Sequence, residues 1–155
     1  MPDIVDPLTR SRMMAGIRGK DTRPEMTIRR RLHALGYRYR LHPKDIPGKP
    51  DLALPRYRAA IFVNGCFWHG HSCHLFRLPG TRTDFWTAKI EANRKRDRVV
   101  VDALQASGWR QLVIWECAFR GRGSIGLDKV IAAATKWIES DEKNAEIMGG
   151  PDGAG

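Results

Sequence analysis

Apolar positions along the chain alternate between helical spacing and short continuous runs. Met13, Met14 and Ile17, set among basic neighbours, predict a short helix over residues 8–18. Thr22-Arg23-Pro24-Glu25 marks a second helix start, with Thr22 as N-cap, Pro24 in the first turn and Glu25 at the capping-box position. Met26, Ile28, Leu32 and Leu35 recur at roughly helical spacing, and Gly36 suits the end. Tyr37 to Leu41 and Asp51 to Leu54 predict short strands separated by a Pro-Gly loop. Ala59 to Val63 is a continuous apolar run, as a doubly covered central strand requires, and Asn64-Gly65 ends it with a turn. Residues 66–82 read as loop. A long helix over Asp84 to Ala106, a buried strand over Gln111 to Trp115 and an amphipathic helix over 127–140 complete the series. The polar, Gly- and Pro-containing stretch 141–155 predicts a disordered tail. The order implies an α/β fold, a mixed β-sheet flanked by helices, forming one domain over 1–140.

Composition narrows the class. In 155 residues, 42% are hydrophobic and 28% charged, as in a soluble protein with a real core. No stretch approaches the roughly 18 apolar residues of a membrane span. The N-terminus lacks the pattern of a signal peptide, so the expected compartment is the cytoplasm. The net charge is +10, and residues 8–49 alone carry 12 basic and 3 acidic side chains. That asymmetry predicts a polyanionic partner, because each neutralised phosphate releases counterions.

Three cysteines without export signals argue against a disulfide framework and for metal ligation. Cys66, His69, His71, Cys73 and His74 fall within nine residues after one buried strand, and Cys117 follows another. Four of these six can close a tetrahedral Cys₃His zinc site, which leaves at least one histidine for other work. His69, just past a strand end, is a candidate general base. Asp51, at the start of a strand, is a candidate carboxylate for a metal that stabilises charge on a phosphate. Asn93 and Asp97 interrupt an apolar helix face made by Trp86, Ile90, Val100, Val101 and Leu104. A buried carboxylate there needs a partner, either an arginine in a structural salt bridge or His69. Phe67 and Trp68 in a polar loop are candidates for stacking on bases. Trp109, Trp115 and Trp137 read as core.

Together these residues resemble the very-short-patch-repair DNA mismatch endonucleases of bacteria. The resemblance spans about Asp6 to Gly121. It is carried by Arg12-Met13-Met14, Gly19 to Glu25, Pro47-Gly48-Lys49-Pro50-Asp51, Ile61 to His69 with its Gly-Cys-Phe-Trp-His block, Thr81 to Trp86, Asn93 to Asp97 and Trp115-Glu116-Cys117. It implies a restriction-endonuclease-like fold and nicking of one strand 5′ of the thymine in a T·G mismatch left by 5-methylcytosine deamination. It implies catalytic Mg²⁺ on Asp51 and the main-chain carbonyl of Val63, with Glu25 holding metal-bound water. His69 would be the base and Asp97 its partner. Structural Zn²⁺ would sit on Cys66, His71, Cys73 and Cys117, leaving His74 spare. Phe67, Trp68 and Trp86 would wedge beside the mismatch from the major groove, and Met14 would approach from the minor groove. Monomeric action on duplex DNA near the nucleoid is expected, with mismatch-repair proteins as candidate partners. Asn64 departs from the pattern, because the best-known member has a second active-site histidine there. Two other classes compete with this reading: a non-catalytic zinc-stabilised DNA-binding module, and a restriction nuclease indifferent to mismatches.

Overall fold

The computed structural model describes residues 23–66, 69–71, 73 and 78–150. The predicted helix over 8–18, Met14, Phe67, Trp68 and His74 lie outside them. The elements are α1 (Arg23–Ala34), β1 (Arg40–Leu41), β2 (Leu52–Leu54), β3 (Ala59–Asn64), α2 (Thr83–Ala106), β4 (Arg110–Trp115), α3 (Leu127–Ile138) and β5 (Asn144–Ile147). The sheet runs in chain order, β1-β2-β3-β4-β5. Its first two pairings are antiparallel, and β3–β4 and β4–β5 are parallel, so the sheet is mixed as expected.

Strand periodicity explains the layers. Ala59 and Ile61 of β3, with Leu112 and Ile114 of β4, face α1 and α3. There they meet Ile28 and Leu32 of α1 and Val130, Ile131, Ala134, Trp137 and Ile138 of α3, all buried. Each Val, Leu or Ile among them contributes roughly 1.5–3 kcal/mol on burial. Ala60 and Phe62 face α2, but of that long helix only Ile90 and Leu104 are buried. The middle of α2 therefore stands off the sheet. A cleft of about 830 Å³ opens beneath it, lined by Asn64, His69 and Asp97 among others.

Arg110 ties the back of the sheet together. Its guanidinium donates to the carbonyls of Tyr57, Trp137, Ile138 and Glu142 and lies 4.4 Å over the Trp137 ring. It thereby satisfies the open carbonyls at the C-terminus of α3 and favours that end of the helix dipole.

Two expectations are corrected. The tail from Asp141 is not disordered over its whole length, because Asn144–Ile147 pairs with β4 and places Ile147 beside Ile114. Polar composition misled here: an edge strand held by one neighbour needs only one buried residue, and Ile147 supplies it. Leu35, expected on the apolar face of α1, is 58% exposed beyond the last helical turn. No helix among the described residues is long and apolar enough to cross a membrane.

Candidate active site and metal centres

Cys66, His71, Cys73 and Cys117 converge as the zinc expectation requires, with ligand atoms all within 4.8 Å of one another. Parallel pairing makes this happen. Asn64 of β3 lies opposite Trp115 of β4, so the residues just past both strand ends, Cys66 and Cys117, emerge side by side. Cys117 Sγ is 3.6 Å from His71 Nδ1, and the Cys117 amide donates to Cys66 Sγ at 3.4 Å. Ligands 2.0–2.3 Å from one tetrahedral ion stand roughly 3.3–3.8 Å apart, so the set fits zinc. Burial pushes the Cys66 and Cys117 thiols up and His71 down. The imidazole is thus neutral, ready to ligate, while the thiols must shed protons to a metal. The Gly149 amide donates to Cys117 Sγ at 3.3 Å, from the segment expected to be disordered. A Cβ at Gly149 would come within 2.3 Å of the Cys117 carbonyl oxygen, so only glycine allows that approach.

His69 stands outside this cluster. Its Nδ1 lies 2.7 Å from Asp97 Oδ2. Of the two partners open to Asp97, the structure gives it the histidine. Asp97 is not buried as expected: its side chain is 40% exposed, because the raised middle of α2 turns it into the cleft. Three contacts fix the loop that carries His69. The His71 ring stacks on Trp115 at 4.2 Å and the His69 ring meets the same indole edge-on at 6.0 Å. Arg94 of α2 donates to the Gly70 carbonyl, and Gly70, at φ +63°, has no room for a Cβ against Arg94 and Ile90. Trp115 in turn donates to Glu146 of β5 at 2.7 Å. The sequence places Trp115 in the core and assigns no site role to Arg94 or Glu146. Their part depends on long-range packing that spacing does not carry.

Asp51 forms a second cluster with Glu25 and a residue the sequence reading missed, His42. The Val63 amide donates to Asp51 Oδ2 at 2.7 Å. His42 Nε2 is 3.9 Å from Asp51 Oδ1 and 2.8 Å from Glu25 Oε2, which Arg29 also meets at 3.0 Å. Glu25 is buried in the first turn of α1, where the helix dipole favours a carboxylate. Burial, reinforced by Glu25 and opposed by the Val63 N–H and His42, pushes Asp51 up to about 7. A divalent cation would reverse that shift, so two crowded carboxylates and an imidazole have the chemistry of a cation site. Asn64, buried and next to Val63, lines the cleft that holds His69 and Asp97. Trp86 is half-buried on the first turn of α2, edge-on to the exposed Phe85 at 5.1 Å, over which Arg82 lies.

The family profile described as "DNA mismatch endonuclease Vsr" matches residues 2–75. The chain is 41% identical over 147 residues to the DNA mismatch endonuclease Vsr of Escherichia coli strain K12, covering 95% of this chain and 94% of that one. It is 49% identical over 125 residues to the type II nicking enzyme V.XorIIP of Xanthomonas oryzae pv. oryzae, covering 81% and 92%. A third relative, the type II nicking enzyme V.NmeAIP of Neisseria meningitidis, is 40% identical over 79% of this chain and 87% of its own.

Proposed function

The chain belongs to the DNA mismatch endonuclease Vsr family, and from that premise we propose that it nicks one strand of duplex DNA 5′ of the thymine in a T·G mismatch. The observation that carries the catalytic reading is the His69–Asp97 pair, 2.7 Å apart at a cleft shared with Asn64. The names of the relatives, mismatch endonuclease and nicking enzyme, support the reaction class.

Asp97 accepts the Nδ1–H of His69 and so fixes the tautomer. Nε2 is left as the basic nitrogen that takes a proton from the attacking water. Asp51 and the main-chain carbonyl of Val63 would hold Mg²⁺, with Glu25 holding metal-bound water. When bound, that ion stabilises charge developing on the scissile phosphate. Asn64 can hydrogen-bond a phosphate oxygen or water but cannot titrate. The thiolate cluster would hold structural Zn²⁺ and keep the His69 loop against Trp115. Phe67, Trp68 and Trp86 would wedge beside the mismatch, which unstacks at lower cost than a matched pair, with Met14 in the minor groove. Basic residues over 8–49 would supply phosphate affinity. Monomeric action in the bacterial cytoplasm, close to the nucleoid and to mismatch-repair proteins, completes the proposal.

A non-catalytic zinc module has no need of the Asp51 cluster or the His69–Asp97 pair. The test is a T·G duplex and its matched counterpart, incubated with Mg²⁺ and either the wild type or Asp51→Ala. Nicking of the T·G duplex alone, slowed roughly 10³-fold by the substitution, is expected from the several kcal/mol a catalytic metal supplies. Equal nicking by both proteins contradicts the role of Asp51. Equal cleavage of both duplexes contradicts mismatch specificity.

A further inference from the structure

His42 is not absorbed by the roles above. It directly follows β1, and its amide donates to the Asp51 carbonyl at 3.2 Å, extending the β1–β2 pairing by one rung. That rung sets its ring against the carboxylate of the same residue. Its backbone sits at φ +46°, a left-handed conformation that is strained for a non-glycine residue. Strain of this kind collects at functional sites. The side chain is only 16% exposed, and the buried Nε2 has no aligned hydrogen bond although Glu25 Oε2 is 2.8 Å away.

Neutralising Glu25 does not require the imidazole, since Arg29 already lies 3.0 Å from the same oxygen. An imidazole nitrogen facing two carboxylates, with no aligned donor or acceptor, is instead set up to share a cation. The three ligand atoms lie within 4.8 Å of one another. Ligands on one octahedral ion stand about 3 Å apart when adjacent and about 4.2 Å apart when opposite, so side-chain adjustment below 1 Å would close the site.

We propose that His42 is a direct nitrogen ligand of the divalent cation held by Asp51 and Glu25, giving a mixed nitrogen–oxygen site that prefers first-row transition ions such as Mn²⁺ over Mg²⁺. The proposal rests on Asp51 being a metal carboxylate. Imidazole suits transition ions, whereas Mg²⁺ favours oxygen and keeps its waters. His42 therefore raises Mn²⁺ affinity more than Mg²⁺ affinity.

The experiment uses the full-length, zinc-loaded chain labelled with ¹⁵N-histidine, with Mn²⁺ as probe. Pulsed EPR reads nitrogen bonded to Mn²⁺, and titration reads affinity for both ions. The wild type is expected to show bonded-nitrogen coupling that His42→Gln loses and His69→Ala keeps. His42→Gln should also weaken Mn²⁺ binding about tenfold or more and Mg²⁺ binding less, at unchanged zinc content. If His42→Gln does not fold, the coupling in the wild type and in His69→Ala decides. Absence of coupling in the wild type, or its retention in His42→Gln, overturns the proposal. Asp51→Asn separates the two readings. If it abolishes Mn²⁺ binding while His42→Gln leaves binding unchanged, only the His42 proposal fails. If it too binds Mn²⁺ as the wild type does, the Asp51 reading fails with it.

Discussion

Strand β3 joins two clusters of opposite chemistry. The Val63 amide touches Asp51, and three residues later Cys66 enters the thiol cluster. The thiol cluster is soft and closed. It offers four candidate ligands from a loop and a strand end, and backbone amides already donate to two of its sulfurs. The carboxylate cluster is harder and offers three candidate ligands, Glu25, His42 and Asp51. A tetrahedral Cys₃His set leaves no place for substrate, whereas an ion that takes six or more ligands keeps places for water or phosphate on a three-ligand site. On the proposed reading, one strand end serves both stability and catalysis by handing successive residues to different ions. His69 belongs to neither cluster. Zinc would hold its loop in place, while its ring is free of the zinc ligand set and paired to Asp97.

The largest expected effect is on the side of chemistry. His69→Ala should slow nicking roughly 10²- to 10⁴-fold, the range of a lost general base, and change DNA affinity by less than about threefold. Single-turnover nicking and equilibrium DNA binding measure the two, and an unchanged rate removes His69 from the proton path. Next comes the thiol cluster. Cys117→Ser should release zinc and lower Tm by roughly 10 °C, the shift for about 3 kcal/mol in a chain of this size. Metal analysis and calorimetry check it, and a full zinc complement at wild-type Tm takes Cys117 out of the ligand set.

Asp97→Asn should have a smaller effect, a roughly 10- to 100-fold loss of rate, since the ring stays in place while the charge that sets its tautomer goes. A loss as large as that of His69→Ala would assign Asp97 to scaffolding of the loop.

The smallest effect is on stability against pH. Asp51 rises to about 7 in the fold, against about 4 for an unfolded carboxylate. Between those values the folded, Mg²⁺-free protein holds one proton more than the unfolded chain, so its stability falls as pH rises through that window and levels above it. Asp51→Asn should show a shallower fall in Tm from pH 5 to 8 than the wild type, and Mg²⁺ should flatten the wild-type curve. Identical pH slopes for the two proteins would contradict a raised Asp51.

How much of this was legible in the sequence depended on whether a signal was local. The zinc ligands were, because thiols and imidazoles crowd into nine residues and Cys117 follows a strand recognisable from its apolar run. The Asp97 partner was half legible: helical spacing showed a carboxylate on an apolar face, but only the stand-off of α2 explains why it is exposed rather than buried. His42 was not legible. A histidine before a proline in a loop carries no period, and its meaning comes from the rung that sets it against Asp51. Nor was β5, whose polar residues read as a tail until parallel pairing aligns Ile147 with Ile114 and Glu146 reaches Trp115.

The central claim is the division of labour between the clusters, and a metal add-back experiment tests it most directly. Protein holding one zinc ion per chain is dialysed against a mild chelator until Mg²⁺ is gone, then assayed on a T·G duplex. The account predicts that zinc stays bound, that nicking is absent, and that Mg²⁺ alone restores it. Nicking without added Mg²⁺, or restoration that requires zinc, would contradict it.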